Sequence, residues 1–353
     1  MWLWHVRAFI SVVVIASALP QPTDDSWTEE GMEEDPPLAV GGRAVTCPGA
    51  FQVVGDQCLY FAIIFQTDRN GAKQICDSFQ GKLVAIREAT AMRKIYVYIR
   101  NKGYTTRGFW IDGSRDTHGN WNFSDKTPLP METPFWGASE TFSLPKNGTG
   151  LNCAAITPDS GFYITNVDCS NTSLSPICEV APISEGLADE NTDADEDFAT
   201  EIDSIDVTCP PFFVTIPGTS ICTAFVTWAN VSWGDARQIC QGLHGDLFTI
   251  NDAERFRSLY EYLQAEGINN FSFWIGGMRE SNVSWVWHDG VPISQGPPFW
   301  GLSDTDDHVL EPDGQVDEEE DCVALTSEGK YYFRDKKCSE EYSPMCVAMP
   351  IGQ

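Results

Sequence analysis

"PFWG" stands at residues 134–137 and again at residues 298–301. Each copy begins 58 residues after a cysteine, Cys76 in one case and Cys240 in the other. Before each comes "FWI", with Trp110 and Trp274 both 34 residues past that same cysteine. Working outward, Cys47, Cys58, Cys76, Cys153, Cys169 and Cys178 surround the first copy, and Cys209, Cys222, Cys240, Cys322, Cys338 and Cys346 surround the second. The second-to-third interval is 18 residues and the fourth-to-fifth is 16 in both sets. Self-similarity at fixed spacing means two copies of one domain. Six cysteines per copy at repeated spacings imply a disulfide framework, although spacing alone leaves 15 connectivities for each set. Zinc is the competing reading, and the chain has neither a C-x-x-C pair nor clustered histidines to support it.

The ends and the charge set the compartment and the partners. His5 and Arg7 precede the apolar run "AFISVVVIASA", which closes on the small-x-small site Ala16-Ser17-Ala18. Residues 1–18 therefore read as a cleaved secretory signal. The run is too short to span a bilayer, which takes about 20 apolar residues, so a secreted, extracellular protein without membrane insertion is expected. Six N-x-S/T sequons, at Asn122, Asn147, Asn171, Asn230, Asn270 and Asn282, agree with that route as glycosylation acceptors. With 22 basic against 51 acidic side chains, the 353 residues carry a formal charge of -29. Nucleic acid and anionic membranes would be repelled, and cations are the natural ligand. The acidic excess gathers in an N-terminal segment (residues 19–46) and a linker (residues 181–208) whose like charges should extend it at low salt. Two stretches of about 135 residues remain, each long enough for one core.

Within the second copy, "NDAERFRSLYEYLQAEG" offers Asn251 as N-cap, Glu254 three residues on, and Phe256, Leu259, Tyr260 and Leu263 on one face before Gly267. This predicts a helix. An earlier helix, "SWGDARQICQGL", carries Cys240, and the first copy has counterparts around Cys76 and at "EATAMRKIYVYIR". Short aromatic runs such as "SFWIGG", "SWVWHDG", "DCVALTS" and "KYYFRD" read as strands, with Trp121, Trp285 and Trp287 as core residues. A long acidic loop rich in Pro and Gly fills residues 290–321. A loop of that length in a compact domain usually carries function.

At these residues the chain resembles secreted proteins with two C-type lectin-like domains, such as the dual-domain C-type lectins of invertebrates. The resemblance rests on the cysteine spacing, the "WI-G" strand and "PFWG" in both copies, and on "EPD" and "EDC" in the second. It implies an α+β fold for residues 47–180 and 209–349: two helices flanking antiparallel sheets, a long projecting loop and three disulfides per domain. By the same resemblance the first cysteine pairs with the second, the third with the sixth and the fourth with the fifth: Cys47–Cys58, Cys76–Cys178 and Cys153–Cys169, then Cys209–Cys222, Cys240–Cys346 and Cys322–Cys338.

The resemblance also gives meaning to "EPDGQVDEEEDC", residues 311–322, where seven carboxylates crowd into twelve residues. In calcium-dependent members five positions build the sugar site: the residues flanking a cis-proline, the glutamate two before the fourth cysteine, and an Asn-Asp pair before the fifth. Carried over, they are Glu311, Asp313, Glu320, Arg334 and Asp335, with Glu311, Asp313, Glu320 and Asp335 as candidate calcium ligands. Calcium takes six to eight oxygens, so carboxylates from two strands supplemented by backbone oxygen and water suffice. The competing reading of the same residues is a solvated charge run. Two departures stand out. "EPD" lacks the amide donor that usually faces carboxylate across the proline, and Arg334 replaces an asparagine. Compensation is expected, Arg334 either pairing with Asp313 or donating to a sugar hydroxyl. The matching positions of the first copy are Leu144, Lys146, Leu151, Thr165 and Asn166, which offer no carboxylate. That copy is read as a calcium-independent binding or spacing module.

No serine elbow, phosphate loop or catalytic cysteine is present, so no enzymatic activity is expected. The sequence is thus read as a calcium-dependent carbohydrate-binding protein acting on glycans or microbial surface polysaccharides, as in innate immunity. Its avidity would come from homo-oligomers or a helper. The alternative is a calcium-independent module for protein ligands or adhesion.

Overall fold

The computed structural model describes residues 45–183, 207–281, 284–304, 309–313 and 320–351. The expected signal peptide, the acidic N-terminal segment up to residue 44, most of the acidic linker and Asn282 lie outside them. No helix among the described residues is long and apolar enough to cross a membrane. Of the other sequons, Asn147, Asn171, Asn230 and Asn270 are exposed and Asn122 is half-buried.

The two copies fold alike. The first runs β1 (Gln52–Val54), β2 (Gln57–Phe61), α1 (Arg69–Ser78), β3 (Lys82–Leu83), α2 (Ala89–Asn101), β4 (Phe109–Arg115), β5 (Trp121–Asn122), β6 (Cys153–Ile156), β7 (Ile164–Val167), β8 (Ser175–Val180). The second runs β9 (Val214–Thr215), β10 (Cys222–Phe225), α3 (Trp233–Gly242), β11 (Asp246–Leu247), α4 (Ala253–Ala265), β12 (Phe273–Arg279), β13 (Trp285–Trp287), β14 (Cys322–Leu325), β15 (Phe333–Lys336), β16 (Ser343–Ala348). In sheet order the first gives β1-β2-β8-β4-β6-β7 and the second β9-β10-β16-β12-β14-β15, with two short strands branching off each. Pairing is antiparallel except at β4–β8 and β12–β16, where the last strand of each repeat runs parallel to its central one.

Local chemistry explains the helices. Phe256, Leu259, Tyr260 and Leu263 are buried along α4, as their spacing predicts. Its N-cap, however, is Asp252, whose Oδ1 accepts from the Arg255 amide at 2.8 Å. Asn251 is engaged instead by the indole N–H of the buried Trp287. A buried indole requires an acceptor, so the cap moves one residue along the chain. Helices α1 and α3 are bolted to the last strands by Cys76–Cys178 and Cys240–Cys346, at sequence separations of 102 and 106. In the chain-entropy model each such closure contributes roughly 4 to 5 kcal/mol. The remaining bridges, Cys47–Cys58, Cys153–Cys169, Cys209–Cys222 and Cys322–Cys338, complete the same pattern in both repeats.

The repeats do not stand apart. The described residues from Val45 onward form one compact unit, and a single apolar cluster joins Ile95, Trp136 and Tyr163 to Phe256, Trp300 and Tyr332. Both "PFWG" segments sit at this contact. Tyr163 of the first repeat donates its hydroxyl to the Trp300 carbonyl at 2.6 Å, and Tyr332 of the second donates to the Trp136 carbonyl at 2.7 Å. The two rings meet edge to face, 5.0 Å between centroids. Both tyrosines are wholly buried, and burial pushes both phenols well above their ordinary pKa, so they remain donors. Nearby, the Leu302 amide donates to the Ala138 carbonyl at 2.9 Å. Helix α2 lies along α4, where the Thr90 amide donates to Glu254. A Cβ on Gly296 would fall 2.3 Å from the Tyr96 hydroxyl, so glycine is required for the close approach.

Replacing Tyr332 by Phe leaves the buried Trp136 carbonyl without this donor, and is expected to cost about 1–3 kcal/mol of unfolding free energy. Denaturant titration of the full chain measures it, and Tyr163→Phe should cost a similar amount at the symmetric position.

Candidate functional site

Strands β14 and β15 pair with Val323 opposite Asp335, and Cys322–Cys338 ties the pair at its open end. The end of the long loop returns to them through a bridge between Leu302 and Leu310 and through the Glu311 amide, which donates to the Gly301 carbonyl at 2.9 Å. The Glu311–Pro312 peptide is cis. The result gathers Glu311, Asp313 and Asp335 so that one carboxylate oxygen of each lies within 4.8 Å of the others. Asp313 is exposed, whereas Glu311 and Asp335 are each 4% exposed. Of the five positions carried over from the sequence, these three converge. Glu320 is half-buried and lies outside the cluster, its backbone carbonyl accepting from Arg279 at 3.0 Å.

Arg334 takes a different place from the one expected. Successive side chains on a strand face opposite ways, so Arg334 turns from Asp335 toward the loop and the first repeat. Its Nη2 lies 2.7 Å from Glu311 Oε1 and 3.0 Å from Asp304 Oδ2, and its Nη1 donates to the Leu302 carbonyl at 2.8 Å. The guanidinium pairs with Glu311 rather than Asp313, and its side chain is 4% exposed. A donor so enclosed faces protein, which corrects the expectation that it meets a sugar hydroxyl.

Two further groups escaped the sequence reading. Arg279, at the end of β12, lies 3.0 Å from Asp321 and 3.7 Å from Asp335, with its guanidinium over the Trp285 ring. Glu140 reaches across from the first repeat to Lys336 at 3.0 Å and to Arg334 at 3.5 Å. A signal existed for the second: "PFWGASE" and "PFWGLSD" both carry an acid three residues past the glycine, Glu140 in one and Asp304 in the other.

The electrostatics favour a cation. With every acid ionised, six carboxylates (Glu140, Asp304, Glu311, Asp313, Asp321, Asp335) face three cationic side chains (Arg279, Arg334, Lys336), a formal excess of three negative charges. Burial pushes the Glu311 carboxyl up to about 10, against the pull of Arg334 and with Asp335 and Asp313 adding to the rise. Such a group accepts either a proton or a second positive charge. Calcium–oxygen distances of about 2.3 to 2.6 Å let one ion reach oxygens up to about 5 Å apart, so the 4.8 Å spread fits calcium.

The first repeat solves the same junction without charge. Asn166, at the position of Asp335, accepts from the Lys146 amide at 2.6 Å and donates to the carbonyls of Lys146 at 2.8 Å and Leu151 at 3.2 Å. Leu144 is buried and precedes its own cis-proline, Pro145. One amide fastens the loop, and no carboxylate stands at the positions matching the cluster.

Two disulfide-bonded repeats of this topology, with a loop site at the β14–β15 end, define tandem lectin-like domains. The profile of the family described as "Lectin C-type domain" matches residues 66–180 and 229–348, and the chain belongs to that family. Domains of that family are in general non-enzymatic, carbohydrate-binding and calcium-binding, and some are calcium-independent. Among relatives, human C-type mannose receptor 2 is 24% identical over 294 residues, 82% of this chain and 18% of that protein. Human asialoglycoprotein receptor 2 is 28% identical over 139 residues, 39% of this chain and 40% of the relative. The chain thus spans about a fifth of the first relative's length and two fifths of the second's. Solved neighbours include the mouse scavenger receptor C-type lectin carbohydrate-recognition domain, 23% identical with a TM-score of 0.31, covering 40% of this chain and 98% of that one. A calcium-independent type II antifreeze protein matches at 19% identity and a TM-score of 0.32, covering 41% of this chain and 97% of its own.

Replacing Arg334 by Met leaves Glu311 buried without its partner. In EDTA the expected loss is about 3–5 kcal/mol, as for breaking a buried ion pair. Thermal denaturation checks it, and millimolar calcium is expected to restore part of the loss by supplying the missing positive charge.

Proposed function

We propose that this chain is a secreted, calcium-dependent glycan-binding protein whose second repeat carries the site. The observation that carries the reading is the convergence of Glu311, Asp313 and Asp335 on one point of a largely buried, net-negative loop junction. Glu311, Asp313 and Asp335 would hold the ion, with Glu320 the fourth candidate from the sequence. Bound calcium would supply open coordination positions for vicinal sugar hydroxyls. The chain's own carboxylates accept hydrogen bonds from those hydroxyls, and exposed Asp313 is the residue best placed to meet them. All twelve cysteines are in disulfides, which suits an oxidising, extracellular compartment. One acidic site per chain makes avidity on a microbial or cellular glycan surface depend on several chains acting together.

The Arg334–Glu311 pair favours a second reading, in which the guanidinium serves as the loop's fixed cation and the surface binds protein without calcium. A glycan array that includes microbial polysaccharides, probed in millimolar calcium and again in EDTA, separates the two. Under the first reading signal appears with calcium, vanishes with chelator and is lost in Asp313→Ala. Arrays blank in both conditions support the second.

A further inference from the structure

The first repeat has no carboxylate at the positions matching the second repeat's cluster, yet its "PFWG" segment leads directly into contacts with that acidic site. Ser139, Glu140 and Thr141 follow that motif. Thr141 donates twice to Asp304 Oδ1, through its amide at 2.9 Å and its hydroxyl at 2.9 Å. Asp304 Oδ2 in turn lies 3.0 Å from Arg334 Nη2, the nitrogen that also lies 2.7 Å from Glu311. Glu140 approaches the same guanidinium from its Nε side at 3.5 Å and holds Lys336 at 3.0 Å. Burial raises the Asp304 carboxyl, but hydrogen bonds from Ser139 and Thr141 together with the Arg334 charge outweigh it and hold the group below its ordinary value. Asp304 is therefore anchored in its charged form, mainly by first-repeat donors.

We propose that Glu140 and Thr141 of the first repeat are positioning residues for the second repeat's cation site, acting through Asp304 and Arg334 on Glu311. The proposal rests on the calcium reading of that site. Glu140 and Asp304 share the guanidinium with Glu311. Each carboxylate that draws on Arg334 leaves Glu311 less neutralised and freer to serve a second cation. Removing the Glu140 charge concentrates the guanidinium on Glu311 and lowers the site's negative potential, so both effects weaken cation binding. The first repeat is then part of the binding apparatus without touching the ligand.

The test uses the full-length chain and two readouts. The first is titration with calcium, and with terbium as a luminescent substitute. The second is solvent exchange of the Arg334 guanidinium protons by NMR in EDTA, which reports on the brace without any ion. Glu140→Gln is expected to raise the calcium Kd about fivefold, as for contacting charged groups, and to speed Arg334 exchange. Glu140→Asp should recover part of both, and Thr141→Val should weaken binding in the same direction. In an Arg334→Met background, Glu140→Gln should raise Kd by less than it does in the wild type, since only the through-space loss of negative potential remains once the path through Arg334 is gone. Wild-type-like calcium affinity in both Glu140→Gln and Thr141→Val overturns the brace. If the wild type binds neither ion, the calcium reading fails by itself. The exchange measurement then decides the brace: unchanged Arg334 exchange in Glu140→Gln overturns it, and accelerated exchange keeps the contact as the path from one repeat to the other.

Discussion

Two tyrosine hydroxyls, each donating to a tryptophan carbonyl of the opposite repeat, hold the molecule together as one body. The Trp136 and Trp300 side chains are themselves buried, with 1% and 0% exposure, so water does not readily reach the carbonyls beside them. A buried carbonyl without a donor is costly, so each repeat depends on the other to complete its own interior. The contact is self-complementary in the manner of a two-fold dimer, except that both partners belong to one chain. Covalent linkage keeps the effective concentration of the partner high. The rest follows from it: the long loops are pinned face to face, α2 lies on α4, and Glu140 arrives beside Arg334.

The fold was legible from the sequence where the signal is local or repeated. Twelve cysteines at matched intervals and a repeated "PFWG" identify the duplication, and apolar spacing places α4. The resemblance to lectin-like domains supplies the disulfide pairing. The cap of α4 moved by one residue because Asn251 and Asp252 are equally able to cap, and only the distant Trp287 breaks the tie. The union of the repeats was not legible. An acidic linker whose like charges should extend it at low salt leaves open whether the repeats stand apart, and the apolar residues of the contact are indistinguishable in sequence from those of a private core. The candidate site divides along the same line. Glu311 and Asp313, taken from the residues flanking the proline, and Asp335, taken from its offset from Cys338, are gathered in one cluster, whereas Glu320, taken from its offset from Cys322, lies outside it and Arg334 pairs with Glu311 rather than Asp313. Which face of β15 it occupies depends on the strand's alternation, and what it meets there depends on a repeat more than a hundred residues away in sequence.

The two loop junctions show two physical solutions to one problem. A loop that returns to a β-strand pair brings backbone groups and side chains into a confined space. In the first repeat Asn166 satisfies two carbonyls and an amide with one neutral group, which carries no charge to desolvate. In the second, carboxylates crowd the same space, and burial would strongly disfavour so many negative charges without cations nearby. Arg279 and Arg334 supply part of the compensation from opposite sides. What they leave is an excess of negative charge at a partly open point, which is the condition for recruiting an ion from solution.

That balance also explains why the repeat without an acidic cluster of its own belongs to the site's physics. A guanidinium held by Glu311 alone would neutralise it in a tight buried pair and leave little for a metal. Shared among Glu311, Asp304 and Glu140, the same charge is diluted, and one of those three acids comes from the first repeat. On the proposed calcium reading, Arg334 lowers the cost of burying Glu311 in the ion-free state and leaves the site open to an ion. On the same reading, the interface that completes the core would also set how strongly the arginine competes with that ion. A second repeat separated from the first would keep its carboxylates and its arginine but lose the contact that apportions the charge between them.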